Sequence, residues 1–346
     1  MNQMNRLSKV SALPFLYSAL SLAGLGAGCG KLDDVDEFRA GVPQHEDVAL
    51  LFPGGDSAQA ALTATGTGVA QSALLNEKAE MYSMTRAITA TVNGATLATL
   101  GLVKTITEFP PSSLGMDVAV WGPHTNALSP NTWRLTVTRE AAGQFAYLMQ
   151  AKAKTAADSE YLTILSGHHV VMDPGARRRV HLPSYGHGDF VVDWDAAQKL
   201  PEHDNNVGKA AFTYTRPSAT APATIDVVFT QIKDDETGML VDATYGYTET
   251  PGAGGTFQFG VTKNAIATTA ALETLSVRSR WMQTGTGRSD IKLSQGDLGT
   301  LEATSNECWD TNFLSVYRTN SYGDATKVWG AETSCAFATA EYATLP

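Results

Sequence analysis

From residue 116 onward apolar side chains recur at every second position, and this period decides what the chain folds into. Trp133, Leu135 and Val137 alternate with Thr132, Arg134, Thr136 and Thr138, and Phe145, Tyr147 and Met149 follow after a turn at Gly143. The alternation returns in Phe212/Tyr214, Ile225/Val227/Phe229, Val241/Ala243/Tyr245/Tyr247, Phe257/Phe259/Val261 and Leu275/Val277/Trp281. Successive side chains of a strand point to opposite faces, so each segment presents one apolar and one polar face. Turn signals separate the segments: Pro217 to Pro222, Asp234-Asp-Glu-Thr-Gly238 and Pro251-Gly-Ala-Gly-Gly255. Strands joined by connections this short are antiparallel neighbours, and the pattern predicts a meander of about ten or eleven strands.

One stretch, 73–109, has a helical period. Met81, Met84, Ile88 and Val92 recur at spacings of three and four. Asn93-Gly94 is expected to break the pattern. A second short helix then carries Leu97, Leu100, Val103 and Ile106, and Pro110-Pro111 stops it. The Met-containing stripe reads as core packing. The apolar sheet face needs a cover, and these helices supply it. The expected fold is α+β: a large antiparallel β-sheet curved into a half-barrel or open barrel, packed against N-terminal helices. Thr274, Ser276, Arg278 and Arg280, then Arg288, Asp290, Lys292 and Ser294, are expected on a solvated face with cross-strand charge pairs.

The N-terminus has another character. Arg6 and Lys9 precede an apolar run, no further charge appears until Lys31, and the run ends in Gly26-Ala27-Gly28-Cys29-Gly30. This is the order of a secretory signal. A Cys behind small residues resembles the lipobox of bacterial lipoproteins, with Gly26 standing where Leu is usual. That resemblance implies cleavage before Cys29, lipidation of Cys29, and outer-membrane sorting because Gly30 rather than Asp follows. The expected organisation is a signal peptide over 1–28, a lipidated Cys and flexible tether over 29–72, and a single β-rich domain with N-terminal helices over 73–346. Within the tether, Val48-Ala-Leu-Leu-Phe52 is apolar and is expected to be able to dock as one strand. With Cys29 lipidated, Cys308 and Cys335 remain as one pair in an oxidising compartment, for which a disulfide is the expectation.

Composition narrows the function. The net charge of −10 becomes −12 once Arg6 and Lys9 are removed. That argues against a nucleic-acid partner, which needs a basic stripe to neutralise phosphates. There is no GxSxG elbow and no SxxK accompanied by its partner motifs, and Gly285-Thr-Gly287 reads as a hairpin turn rather than a phosphate loop. Four of seven histidines, His168, His169, His181 and His187, fall near Asp173, Asp189 and Asp193. Imidazoles with carboxylates are metal-ligand chemistry, and His181, His187 and Asp189 are the weak candidates. Their spacing follows no HxH or HExxH pattern, however. No cofactor is expected.

Trp121-Gly-Pro123, Arg280-Trp281 with Gly285-Thr-Gly-Arg-Ser-Asp290, Glu307-Cys-Trp-Asp310 and Cys335-Ala-Phe337 together resemble a group of uncharacterised bacterial lipoproteins of myxobacterial type, over residues 73–337. The resemblance implies no activity and no catalytic residue. At the level of architecture alone, helices against one large antiparallel sheet resemble periplasmic lipoprotein-carrier half-barrels. The expected function is a lipid-anchored cell-envelope protein without enzymatic activity. Its membrane contact is the lipid anchor, and its concave sheet face binds a lipid or other amphiphile. Phe145, Tyr147, Phe212, Tyr214, Phe229, Tyr245 and Trp281 are the candidate lining. Two alternatives stand beside it: a surface adhesion or assembly module using the polar face around Arg278 and Arg280, and a metal-dependent hydrolase using the 168–193 His/Asp cluster.

Overall fold

The alternating segments pair in sequence order. A computed structural model describes residues 32–43, 48, 52–53, 75–125, 127–172, 185–234, 238–266, 268–322 and 327–344. Among these, fifteen strands form one antiparallel sheet in which each strand neighbours the next. They are β1 Ser113–Leu114, β2 Val118–His124, β3 Asn131–Ala141, β4 Gln144–Ala153, β5 Leu162–Val171, β6 Gly186–Asp193, β7 Lys209–Arg216, β8 Ala223–Lys233, β9 Leu240–Thr250, β10 Gly254–Lys263, β11 Glu273–Met282, β12 Gly287–Gln295, β13 Glu302–Trp309, β14 Ser315–Asn320 and β15 Lys327–Gly330. The sheet is open. Its edges β1 and β15 are only two and four residues long, and short edges limit unwanted strand pairing.

Among the described residues, three α-helices accompany the sheet with both ends defined: α1 Leu32–Ala40, α2 Glu80–Glu108 and α3 Trp194–Ala197. The expected break at Asn93-Gly94 does not occur, and α2 is one continuous helix of 29 residues. An internal glycine costs a helix only about 1 kcal/mol, which tertiary contacts can offset. Both ends of α2 are fixed by the sheet. At the start, Met81 N–H donates to the Glu307 carboxylate of β13 and Glu80 pairs with Arg318 of β14 at 2.6 Å. At the finish, Trp121 Nε1 of β2 donates to the Phe109 carbonyl at 2.9 Å. A helix of this length spans about 43 Å, whereas β2 and β13 would lie about 53 Å apart in a flat sheet. The sheet therefore bows over α2 with its apolar face inward, as an open half-barrel.

Glycines paired with aromatics permit this packing. Tyr147 faces Gly167, Tyr214 faces Gly188, and Trp281 faces Gly255 on one side and Gly287 on the other. Each ring or hydroxyl occupies the space a Cβ on the opposing glycine would take, except that at Gly287 the ring is that of Trp309, which also pairs with it. Cross-strand aromatic cover of glycine gives a strongly coiled sheet a dry interior without bulk at every position. The rows running across the inner face are mostly apolar as far as β10, and polar residues enter from β11 onward. In one of them Tyr247, Phe257, Ser279, Ser289, Glu307 and Arg318 succeed one another by register. Thr85 of α2 bonds to Ser279 at 2.7 Å, and Ser279 to Ser289 at 2.9 Å. The helix start therefore sits on a hydrogen-bonded polar floor.

Two expectations are corrected. Within the stretch read as a tether, Leu32–Ala40 is helical and Phe38, Val42 and Val48 are buried. The apolar residues there have sheet surface to cover: Phe38 packs edge-on to Phe145 at 6.1 Å, and Phe52 packs on Trp281 at 4.6 Å. The outer face of β11–β13 is also not solvated throughout. The C-terminal segment 331–344 folds back across it, and Arg280, Arg288 and Asp290 are buried beneath. A Cys308–Cys335 disulfide fastens this strap. Arg288 bonds to Asp290 and Glu332, and Arg280 bonds to Asp290, Glu341 and the Thr339 carbonyl. Enclosed charges need such pairing to offset their lost hydration.

Candidate functional site

The histidine-rich region divides between the two faces, as adjacent residues in a strand must. His169 points inward, fully buried, with Nδ1 2.7 Å from the Tyr214 hydroxyl and its ring stacked on that of Tyr214. His168 points outward, where Nδ1 lies 3.3 Å from Asp189 on β6. His187 is exposed on the same strand as Asp189. His181 and Asp173 lie outside the described residues. Among the described residues, no three His, Cys, Asp or Glu side chains converge as a metal ion requires.

The His168–Asp189 pair borders a groove of about 370 Å³ on the outer face of β3–β6. Thr136, Thr138, Ser166 and the pair give it a polar margin; Ala146, Leu148 and Val191 give it an apolar floor. Register explains the assembly, since Thr138, Ala146, His168 and Asp189 are successive partners across four strands, as are Thr136, Leu148, Ser166 and Val191. Small side chains at Ala146, Ser166 and Gly167 create the depression. From beneath, the Tyr147 hydroxyl passes over Gly167 and donates to the Asp189 carbonyl at 3.2 Å. Burial holds that phenol well above its ordinary value, with the Asp189 charge adding to the effect. Sequence reasoning picked out His168 and Asp189 but missed the threonines, whose convergence depends on register. A smaller cavity of about 210 Å³ lies between Phe52, Trp281 and the β9–β10 turn.

The seven aromatics expected to line the concave face all point inward. Phe145, Tyr147, Phe212, Tyr214, Phe229, Tyr245 and Trp281 are between 1% and 9% exposed. They belong to one continuous apolar cluster with Val92, Leu100, Val103 and Ile106 of α2. Contacts such as Phe190 on Phe212 at 4.3 Å and Tyr245 on Phe257 at 5.1 Å are core contacts. Burial raises the Tyr245 phenol far above its ordinary value. Neither the groove nor the smaller cavity lies between the sheet and α2.

Arg278 and Arg280, the expected contact residues of an adhesion face, are occupied by the strap: both pair with Glu341, at 3.0 Å for Arg278, and Arg280 lies over the Phe337 ring at 4.9 Å. Comparison with protein-family models, with curated proteins and with solved structures finds no match.

Proposed function

We propose that the chain is a lipid-anchored protein of the bacterial cell envelope, held in the outer membrane, that acts by binding rather than by catalysis. The observation carrying this reading is the division of the three cysteines. Cys308 and Cys335 are joined, so Cys29 is the one thiol left, and it directly follows Gly26-Ala27-Gly28 at the end of a charge-free apolar run. A structural disulfide suits an oxidising compartment outside the cytoplasm, and a thiol at the end of a signal suits lipid attachment. In this reading the aromatic concave face is core, and binding falls to the outer face over β3–β6. There the groove combines hydroxyls, an apolar floor and one ionisable pair, the usual mixture of a recognition surface.

Metabolic labelling with an alkyne fatty acid tests the anchor. The protein should take up the label and Cys29→Ser should lose it. An unlabelled wild-type protein, or label persisting in Cys29→Ser, contradicts the reading.

A further inference from the structure

The docked position of α1 bears on how an anchored protein would sit. A spacer over 29–72 would let the domain stand away from the bilayer at any orientation. Instead only residues 30 and 31 intervene between Cys29 and Leu32, the first residue of α1. Three residue steps reach at most about 10 Å.

α1 is tied to the body at several points. Glu37 pairs with Arg139 of β3 at 2.9 Å, Arg39 Nε donates to the Thr107 carbonyl at 2.7 Å, and Phe38 packs on Phe145. Gly41 lies so close to the Phe145 ring that a methyl group there would overlap it. Asp36 is exposed, Phe38 is buried on the face toward the sheet, and Gly41 and Val42, just beyond the helix, are buried. The chain therefore enters the core at the C-terminal end of α1.

Arg139 and Phe145 flank the β3–β4 hairpin, which places α1 at one end of the sheet. Exposed apolar side chains lie on both sides of that hairpin. Met116, in the β1–β2 turn, is 84% exposed, and the neighbouring Asp117 carbonyl accepts from Arg139 N–H. Met172, half exposed, follows Val171, whose N–H donates to the Gly143 carbonyl. We propose that this end of the sheet, with Met116 and Met172 at its rim, rests on the membrane surface, and that α1 fixes the domain there by its short link to the lipidated Cys29. The inference rests on the anchor reading above and adds an orientation to it. The occupant is a lipid surface because the chain leads there: an acyl-bearing residue within about 10 Å of α1 keeps this rim beside the bilayer. Burial of the anchoring acyl chains supplies the membrane affinity, so the rim need only add to a contact the lipid already makes.

The opposite end of the sheet provides the control. Leu301, in the β12–β13 connection, is 70% exposed there, and a ten-residue strand such as β4 separates the two ends by about 34 Å. The test uses the full lipidated protein in phosphatidylethanolamine–phosphatidylglycerol vesicles containing headgroup-quencher lipid. A fluorescent amino acid is placed at position 116 or at position 301. Quenching is expected at 116 and not at 301. It should be lost at 116, with vesicle binding retained, when a Gly-Ser linker of about twenty residues and about 25 Å reach is inserted between Gly30 and Lys31. Vesicle-bound protein with neither label quenched, with position 301 quenched more strongly, or with quenching at 116 that survives the linker would overturn the orientation. Protein carrying no lipid and failing to bind vesicles would overturn the anchor reading itself, and the orientation with it.

Discussion

The Glu307 carboxylate accepts a hydrogen bond from the Met81 backbone N–H at 2.7 Å, so a strand 226 residues further along the chain caps the start of α2. The helix has no capping side chain of its own, because Ala79 occupies the N-cap position. Buried beneath the helix start, Glu307 is pushed above the ordinary carboxylate range mainly by desolvation, although the Met81 N–H, Ser315 and Arg318 oppose the shift.

The sign of the pH dependence follows. A folded pKa above the unfolded one means that the folded state binds more protons between the two values. Stability from this group is therefore greatest below the unfolded pKa and declines as pH rises through the window. Glu307→Gln should remove that decline and be no less stable at neutral pH. Glu307→Ala, which removes the cap, should lose about 1–2 kcal/mol. Urea unfolding between about pH 4 and pH 8 separates the three proteins.

Glu273 should behave in the opposite way. Its carboxylate accepts backbone N–H bonds from Asp297 at 2.8 Å, Ala265 at 2.8 Å and Ile266 at 3.2 Å, joining the β10–β11 and β12–β13 connections. The Asp297 N–H leads in holding its pKa below the ordinary value. Stability from a depressed carboxylate is present above the unfolded pKa and lost as pH falls through the folded one. Acidification through that range should lower the hydrogen-exchange protection factors at Ala265, Ile266 and Asp297, and Glu273→Gln should show lower protection there already at neutral pH.

The strap gives a redox prediction. Cys308–Cys335 closes a separation of 27 residues, for which the chain-entropy model gives about 3–4 kcal/mol. Cys335→Ser should lower stability by an amount of this order. Limited proteolysis should then cut within 331–344 before the sheet, since the strap's remaining hold is side-chain pairs and hydrogen bonds to Arg278, Arg280, Arg288, Asp290 and Asn306. A strap equally protected in Cys335→Ser would show that those pairs suffice alone.

Gly167→Ala should be more damaging than its size suggests. The added methyl group would overlap the Asp189 carbonyl oxygen, the Phe190 Cβ and the Tyr147 hydroxyl. All three contacts belong to the neighbouring strands β4 and β6, and the two on β6 are a backbone oxygen and a Cβ with no room to retreat, so a loss of about 1–3 kcal/mol is expected in denaturant unfolding. The outer groove should change shape as well.

Much of the sheet was legible because burial on one face imposes a period of two. Phe212/Tyr214 through Leu275/Val277 fall where the alternation puts them. The strand count fell short of fifteen where that signal fails. In β12 and β13 the inward positions include Ser289 and Glu307, polar residues that serve the start of α2, so alternation carries no hydrophobic contrast. In β5 a register irregularity opposite Met149 and Gln150 interrupts the alternation. The strap and the docking of α1 were not legible, because Arg280–Glu341 and Glu37–Arg139 join residues 61 and 102 apart in sequence. For the candidate site, strand alternation separated His168 from His169, whereas the surrounding threonines required the register of four strands.

The central claim is that the chain is held at the membrane through Cys29, and mass spectrometry of the N-terminal peptide from envelope-extracted protein tests it most directly. The predicted result is a peptide beginning at Cys29 and carrying covalently bound acyl chains. A mature protein beginning at another residue, or beginning at Cys29 without lipid, would contradict it.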